Sequence, residues 1–330
     1  MKVLVTGATG FLGMKVAKRL ASMGFDVTGT GRNEKIGKEI IKNGITFIPS
    51  ALDNRDSILA LCEKQDYVIH CGALSSPWGK YKDFYQANVI GTQNVIEGCL
   101  KWKVKRLIHI STPSIYFHYD KRIDVKENQA LPNKFVNHYA KTKYLAELEI
   151  DKAFQKGLAT ITLRPRALFG PGDQAIFPRL IKVCEKGMFP KIGSGKVEID
   201  MTYIENVVDS ILLCLTSSDA TIGQKYNITN GERVNIYSMI ELVMDRLGKS
   251  FTYKEISFNK AFFLANILEH ISTFVLGGKE PLLTRYSVSV LSQSQTLSIE
   301  KARDELGYEP AISIEQGTNE FIEWWKTHAN

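Results

Sequence analysis

The apolar positions of the chain follow two alternating rhythms. Val3, Leu4 and Val5 form a short continuous apolar run, as in a strand buried on both faces. From Leu12 the period lengthens. Leu12, Val16 and Leu20 recur at helical spacing, with Lys15, Lys18 and Arg19 on the polar side. The alternation continues with strands at 26–30 and 46–48, a helix at 55–64 and a strand at 67–70. A helix at 85–101, a strand at 106–111, a helix at 137–156 and a strand at 159–164 follow. This order predicts an α/β fold, a doubly wound parallel sheet with right-handed crossovers. Ligands of such sheets lie beyond the C-terminal strand ends, here after Val5, Thr30, His70, Ile110 and Leu163.

The rhythm breaks after Arg164. Pro165, Gly170, Pro171, Gly172 and Pro178 mark a long loop. Helices are then predicted near 179–186 and at 205–215, with a turn at Gly193-Ser194-Gly195 and a strand at 226–228. Further helices are expected at 236–247, 261–276 and 314–326. The expected division is 1–165 as the sheet domain and 166–330 as a smaller, interleaved C-terminal substrate domain. Segments near 200–230 return to the first part.

Between the first strand and the first helix stand Gly7, Gly10 and Gly13, spaced G-x-x-G-x-x-G. In strand–turn–helix context, missing side chains let the backbone approach a pyrophosphate, and the helix N-terminus presents free N–H groups to it. An ordinary glycine turn is the plain alternative. Gly7, Thr9, Gly10, Phe11, Leu12 and Gly13 become candidate dinucleotide contacts. A carboxylate after the second strand would accept from a ribose 2′-hydroxyl. That place holds Gly31, followed by Arg32, whose guanidinium suits a 2′-phosphate. NADP(H) is therefore expected as preferred cofactor, with NAD(H) as the alternative. Arg32 stacked on adenine or simply solvated is the competing reading.

Tyr139 and Lys143 lie four residues apart on a predicted helix and so share one face. A nearby ammonium favours the phenolate and would draw a tyrosine pKa toward working pH. Ser111-Thr112-Pro113-Ser114 ends the fifth strand, where a hydroxyl could hold a substrate carbonyl beside the tyrosine. Capping is the plain role for such residues.

With these pieces the chain resembles an extended short-chain dehydrogenase/reductase with a Rossmann-type fold. It is most similar to the 3β-hydroxysteroid dehydrogenase group and to 2-alkyl-3-oxoalkanoate reductases. The resemblance rests on 6–13, Ala87-Asn88-Val89-Ile90-Gly91-Thr92, 111–114 and Tyr139-Ala140-Lys141-Thr142-Lys143. Leu163-Arg164-Pro165-Arg166, Gly170-Pro171-Gly172-Asp173 and Glu280-Pro281-Leu282-Leu283-Thr284-Arg285 complete it. It implies Tyr139 as general acid/base, Lys143 as its partner and ribose ligand, and Thr112 as the carbonyl-orienting hydroxyl, with Ser111 as the alternative. It also implies Asn88 as the family's helix asparagine, and Pro165, Ala167 and Leu168 near the nicotinamide carboxamide. Leu52, Gly72 and Ala73 are implied contacts on the adenosine side. Two positions depart from the family there. Ala51 stands where an acidic residue is common, with Asp53 nearby, and Cys71 stands where asparagine is frequent.

Composition narrows the classes. A 330-residue chain that is 44% hydrophobic can bury a large core. The net charge of +7 is dispersed. Its one cluster, Lys101, Lys103, Lys105 and Arg106, reads as a solvated helix end, with no nucleic-acid-reading motif. Five widely spaced cysteines without C-x-x-C fit a reducing, cytoplasmic setting and no metal site. The first strand begins at residue 2 or 3, which leaves no room for a signal peptide.

For the substrate, nucleotide-sugar members carry an arginine four residues before the tyrosine of Tyr203-Ile204-Glu205. Ile199 stands there, although Lys196, Arg166 or Arg179 could compensate. The greasy stretch 258–277 has three readings: a core helix, a lid over a long acyl or steroid-like ligand, or a peripheral membrane contact. The expected activity is reversible reduction of a ketone to a secondary alcohol on a small apolar substrate, β-keto/β-hydroxy acyl or 3β-hydroxysteroid-like. A nucleotide-sugar epimerase or dehydratase is one alternative, and a non-catalytic NADP(H)-binding sensor is another. A homodimer through the helices at 85–101 and 137–156 fits the family.

Overall fold

The computed structural model describes residues 1–328. Seven parallel strands form the central sheet, in the order Lys225–Ile228, Thr160–Pro165, Arg106–Ile110, Tyr67–His70, Lys2–Thr6, Asp26–Gly31 and Thr46–Pro49. Register is tight: Val3 pairs with Val27 on one side and Tyr67 on the other. Val3, Leu4 and Val5 are fully buried, because helices cover both faces. The sheet's far edge is built from residues 225–228, well past the break in rhythm. Helix Ile204–Thr216 likewise packs on the first helix, Phe11–Ser22, bridged by Lys15–Glu205 at 3.2 Å and Arg19–Asp209 at 3.1 Å.

Several expected bounds move. An additional helix, Glu34–Ile41, follows the second strand, capped by Asn33, whose side chain accepts from Ile36 N. The helix expected from Tyr85 starts at Tyr81, carries a π turn over Tyr85–Ile90 and continues as Gly91–Lys101. The 55–64 helix ends at Leu61, the 179–186 helix spans Phe177–Cys184, and the fifth strand stops at Ile110. Arg106 is not a solvated cation. It is 8% exposed and donates to the carbonyls of Cys214 at 2.6 Å and Ser217 at 3.2 Å.

Beyond the main sheet lie short strands that the apolar pattern does not reveal. Arg233–Asn235, Glu198–Asp200, Gln295–Leu297 and Arg122–Val125 form one small sheet. Leu168–Phe169 pairs with Thr202–Tyr203, and Met188–Ile192 with Thr252–Ile256. They are short, and their partners are remote; Gln295 pairs with Arg122.

The tail helix runs Phe258–Phe274. It is a core helix on one side only: Ala261 and Ala265 pack with Ile192 and Val288, joined by Phe258 and Phe262. Its buried residues are Ala261, Ala265, Glu269 and Ser272, while Phe263, Leu264, Ile267, Ile271 and Phe274 face outward. No helix among the described residues is long and apolar enough to cross a membrane.

Candidate active site

The glycine turn is shaped by close approach. Gly7 adopts φ +68°, where a side chain would be strained, and a Cβ on it would lie 2.7 Å from Gly72 Cα. A Cβ on Gly13 would lie 2.2 Å from the Gly7 carbonyl oxygen. Gly10 precedes the first helix and offers no side-chain cap, so the first-turn N–H groups face outward without one. Phe11 and Leu12 open that helix. This cradle fits a dinucleotide pyrophosphate. Thr9 fills the space above Gly31, where a Cβ would meet Thr9 Oγ1 at 2.5 Å. Any acid there would clash, so the carboxylate-free end of the second strand is built in. Arg32 beside it is exposed.

Leu52 is fixed from two sides. Its carbonyl accepts from Asn94 Nδ2 at 2.9 Å, and its side chain lies where a Cβ on Gly91 or Gly72 would go. Gly72 donates its backbone N–H to Thr6 Oγ1 at 3.2 Å, and Ala73 follows it. Asn88, in the π turn, accepts from Leu74 N at 2.7 Å and donates to Thr142 Oγ1 at 3.1 Å. It thereby ties the loop after the fourth strand to the helix His138–Gln155. Pro165 ends its strand, and Leu168 is half-buried two residues past Arg166. Between them Ala167 holds φ +46°, a left-handed conformation uncommon for alanine and typical of functional loops.

Asn137 caps the helix His138–Gln155 by accepting from Ala140 N at 2.8 Å, which sets Tyr139 and Lys143 on its first turns. Burial pushes the Tyr139 phenol up, and hydrogen bonding with Ser75 and Thr112 opposes that rise. Thr112 is buried, accepts from Ser114 N at 3.1 Å and caps the turn Pro113–Tyr116. It thus both caps and faces the tyrosine. Ser111 points elsewhere, donating to Glu147 Oε1 at 2.5 Å, and this excludes it as the orienting hydroxyl.

Lys143 differs from expectation. Its Nζ donates to the Ile110 carbonyl at 2.6 Å and lies 3.4 Å from His109 Nε2. The helical offset puts Lys143 on the Tyr139 face, but its long stem carries the ammonium to the sheet edge. Burial pulls Lys143 down to about 8, and Glu147 opposes that shift. Beneath it, burial and then Lys143 push His70 down to about 3. A neutral His70 bridges Thr6 Oγ1 at 2.7 Å and Thr92 Oγ1 at 3.0 Å.

One turn beyond Lys143, Glu147 anchors the helix to the sheet. It is buried with Arg164, which donates from Nε at 2.9 Å and from Nη2 at 2.5 Å. Ser75 and Glu147 are the residues sequence reasoning misses. Ser75 could have been found by the strand-end rule, since it follows the fourth strand. Arg164, a cation inside an apolar strand, signals a buried partner without naming it.

Beside the catalytic helix opens a cavity of about 500 Å³. Trp78, Phe84, Val136 and Phe274 supply apolar walls, and Asn137, His138, Glu269, Arg285 and Tyr286 the polar ones. Asn137 and His138, the cap and first residue of the helix that carries Tyr139, are part of the cavity lining.

Residues 3–229 match the NAD dependent epimerase/dehydratase family. The chain belongs to this family, the extended short-chain dehydrogenases/reductases. It is 36% identical over 335 residues to the uncharacterized protein YbjS of Escherichia coli (strain K12), covering 99% of this chain and 98% of that one. It is 34% identical over 322 residues to a 2-alkyl-3-oxoalkanoate reductase of Stenotrophomonas maltophilia (strain K279a), covering 96% and 97%. A crystal structure of UDP-glucuronic acid 4-epimerase from Bacillus cereus in complex with NAD shares the fold. Its TM-score is 0.79 over 100% of both chains, at 24% identity. As a member of this family, the chain is a nicotinamide-dependent dehydrogenase/reductase acting on CH–OH groups.

Proposed function

We propose that this enzyme interconverts a ketone and a secondary alcohol on an apolar β-keto/β-hydroxy acyl substrate, with NADP(H) preferred over NAD(H). A 3β-hydroxysteroid-like ligand is the nearest variant of the same chemistry. The carrying observation is Tyr139 with Ser75 and Thr112 at its hydroxyl, on a helix whose first residues Asn137 and His138 line a cavity of mixed apolar and polar walls. When bound, the nicotinamide supplies or accepts hydride at the carbonyl carbon. Tyr139 gives the oxygen its proton, and Thr112 and Ser75 hold that oxygen and stabilise the phenolate left behind. Lys143, positioned by Ile110 and Glu147, binds the ribose and keeps positive charge near the site. Gly7, Thr9, Gly10, Phe11, Leu12, Gly13, Leu52, Gly72 and Ala73 hold the adenosine and pyrophosphate portions. Pro165, Ala167 and Leu168 border the carboxamide.

Support for NADP(H) comes from Gly31, held free of a side chain by Thr9, and from the exposed Arg32. Support for an apolar substrate over a nucleotide-sugar comes from Ile199, which is 6% exposed and offers no cation to a diphosphate. The 34% identical reductase points the same way. The test is a panel of 2-alkyl-3-oxo acids of increasing chain length, beside UDP- and dTDP-sugars, with NADPH oxidation followed. Turnover that improves with chain length is expected; turnover confined to the sugars would refute the substrate class.

A further inference from the structure

The tail helix Phe258–Phe274 packs Phe258 and Phe262 partly on the core and still turns a broad apolar arc outward. At 100° per residue, Phe263, Phe274, Ile267, Ile271 and Leu264 fall within an arc of roughly 100°. That arc faces water: Phe263 is 67% exposed and Phe274 80%. The inward side holds Ala261, Ala265, Glu269 and Ser272, with Glu269 paired to Arg285 at 2.7 Å. A helix serving only the core would not hold five large apolar side chains in one solvent-facing arc. Val275, 73% exposed, and Leu276, 52% exposed, extend the apolar surface past the helix end. Exposed apolar ground of this extent marks an interaction surface.

Charge and position favour one occupant. The outer arc carries Lys260 and no carboxylate; Lys279 and Lys80 are exposed close by, and Glu280, next to Lys279, is paired with Arg179 at 3.5 Å. A second copy of this chain would bring the same lysines against these, whereas an anionic lipid surface would complement them. The stripe also ends at the cavity, whose lining includes Phe274, Gly277 and Gly278. Trp78 Nε1 donates to Gly278 O at 3.0 Å and ties this end of the tail to the loop after the fourth strand.

We propose that the 258–276 segment is an interfacial docking face that lays its apolar stripe into an anionic bilayer surface and sets the cavity mouth at the membrane. An apolar molecule dissolved in the bilayer then enters without crossing bulk water. This goes beyond the proposed reduction and does not depend on it.

The test is flotation of the full chain with vesicles of phosphatidylcholine alone and of phosphatidylcholine mixed with phosphatidylglycerol in equal parts. The double variant Phe263→Asp/Ile267→Asp changes two outward side chains that do not line the cavity, so its fold and cavity are preserved. Unchanged thermal melting checks this. The native chain should float with the mixed vesicles and less so at high salt. The double variant should lose roughly tenfold or more of its bound fraction. Three outcomes would overturn the proposal. The native chain floats with neither vesicle, or the double variant floats equally well, or the native chain sediments as a dimer that the double variant breaks, with no flotation. Flotation requires no turnover, so a failed substrate screen leaves this result legible.

Discussion

The strand Lys2–Thr6 and the helix Phe258–Phe274 are both rich in large apolar residues, and the fold uses them in opposite ways. Val3, Leu4 and Val5 are fully buried, as their pattern predicts. The tail helix turns Phe263, Leu264, Ile267, Ile271 and Phe274 to water, while its alanines and Glu269 face inward and Phe258 and Phe262 pack partly on the core. Apolar content alone therefore does not give direction. In the sheet, period and neighbours agree: two parallel partners and covering helices leave one solution. In the tail helix an apolar arc is legible from spacing, but which way it faces depends on what the opposite arc can pair with. Glu269, buried on the inner side, meets the partly exposed Arg285 at its rim.

The largest expected effect falls in the sheet half. Glu147→Ala leaves Arg164 buried and without its carboxylate, and should cost about 3–5 kcal/mol in chemical denaturation. Glu269→Ala in the tail should cost clearly less, because the Arg285 side chain is 37% exposed and water can solvate it. Equal losses would erase the distinction between the two regions. Next in size, Arg32→Asp should shift the ratio of kcat/KM for NADPH over NADH toward NADH by roughly 10- to 100-fold. An unchanged ratio would leave Arg32 as a solvated side chain.

A pH effect follows. Burial lowers the Lys143 ammonium to about 8, so its charge is present below that pH and lost above it. With the lysine charge needed, kcat/KM for NADPH should decline as pH rises past about 8, and Lys143→Arg should move that decline upward. A flat profile through that window would remove charge from the role of Lys143. Smallest of all, Phe263→Ser should change stability by no more than about 0.5 kcal/mol, since the residue is 67% exposed. A large loss would return the tail helix to the core.

Legibility divides along the same line. Strand Tyr67–His70 and helix Ile236–Arg246 match their apolar patterns within a residue, and Lys143, on the Ile110 carbonyl, and Thr112 both lie at the end of the fifth strand. Local periodicity and strand-end logic suffice where contacts repeat regularly. They fail where a contact is remote and single. Nothing near Ser111 foretells that its hydroxyl goes to Glu147 while its neighbour Thr112 turns to Tyr139. Nothing near Lys143 foretells that its ammonium rests on the Ile110 carbonyl. The strand Gln295–Leu297 is too short to show a period, and it exists because Arg122–Val125 and Glu198–Asp200 flank it. The helix Glu34–Ile41 was readable through Asn33 and the spacing of Ile36 and Ile40, an ordinary cap before a short amphipathic turn.

The central claim is that Tyr139 is the proton donor of a ketone reduction. Tyr139→Phe keeps the ring and removes only the hydroxyl that meets Ser75 and Thr112. The direct measurement is kcat of this variant on the best 2-alkyl-3-oxo acid, with NADPH affinity determined in parallel by fluorescence titration. The expected result is a fall in kcat of about 10²- to 10⁴-fold with cofactor affinity unchanged. Turnover at the native rate would contradict it.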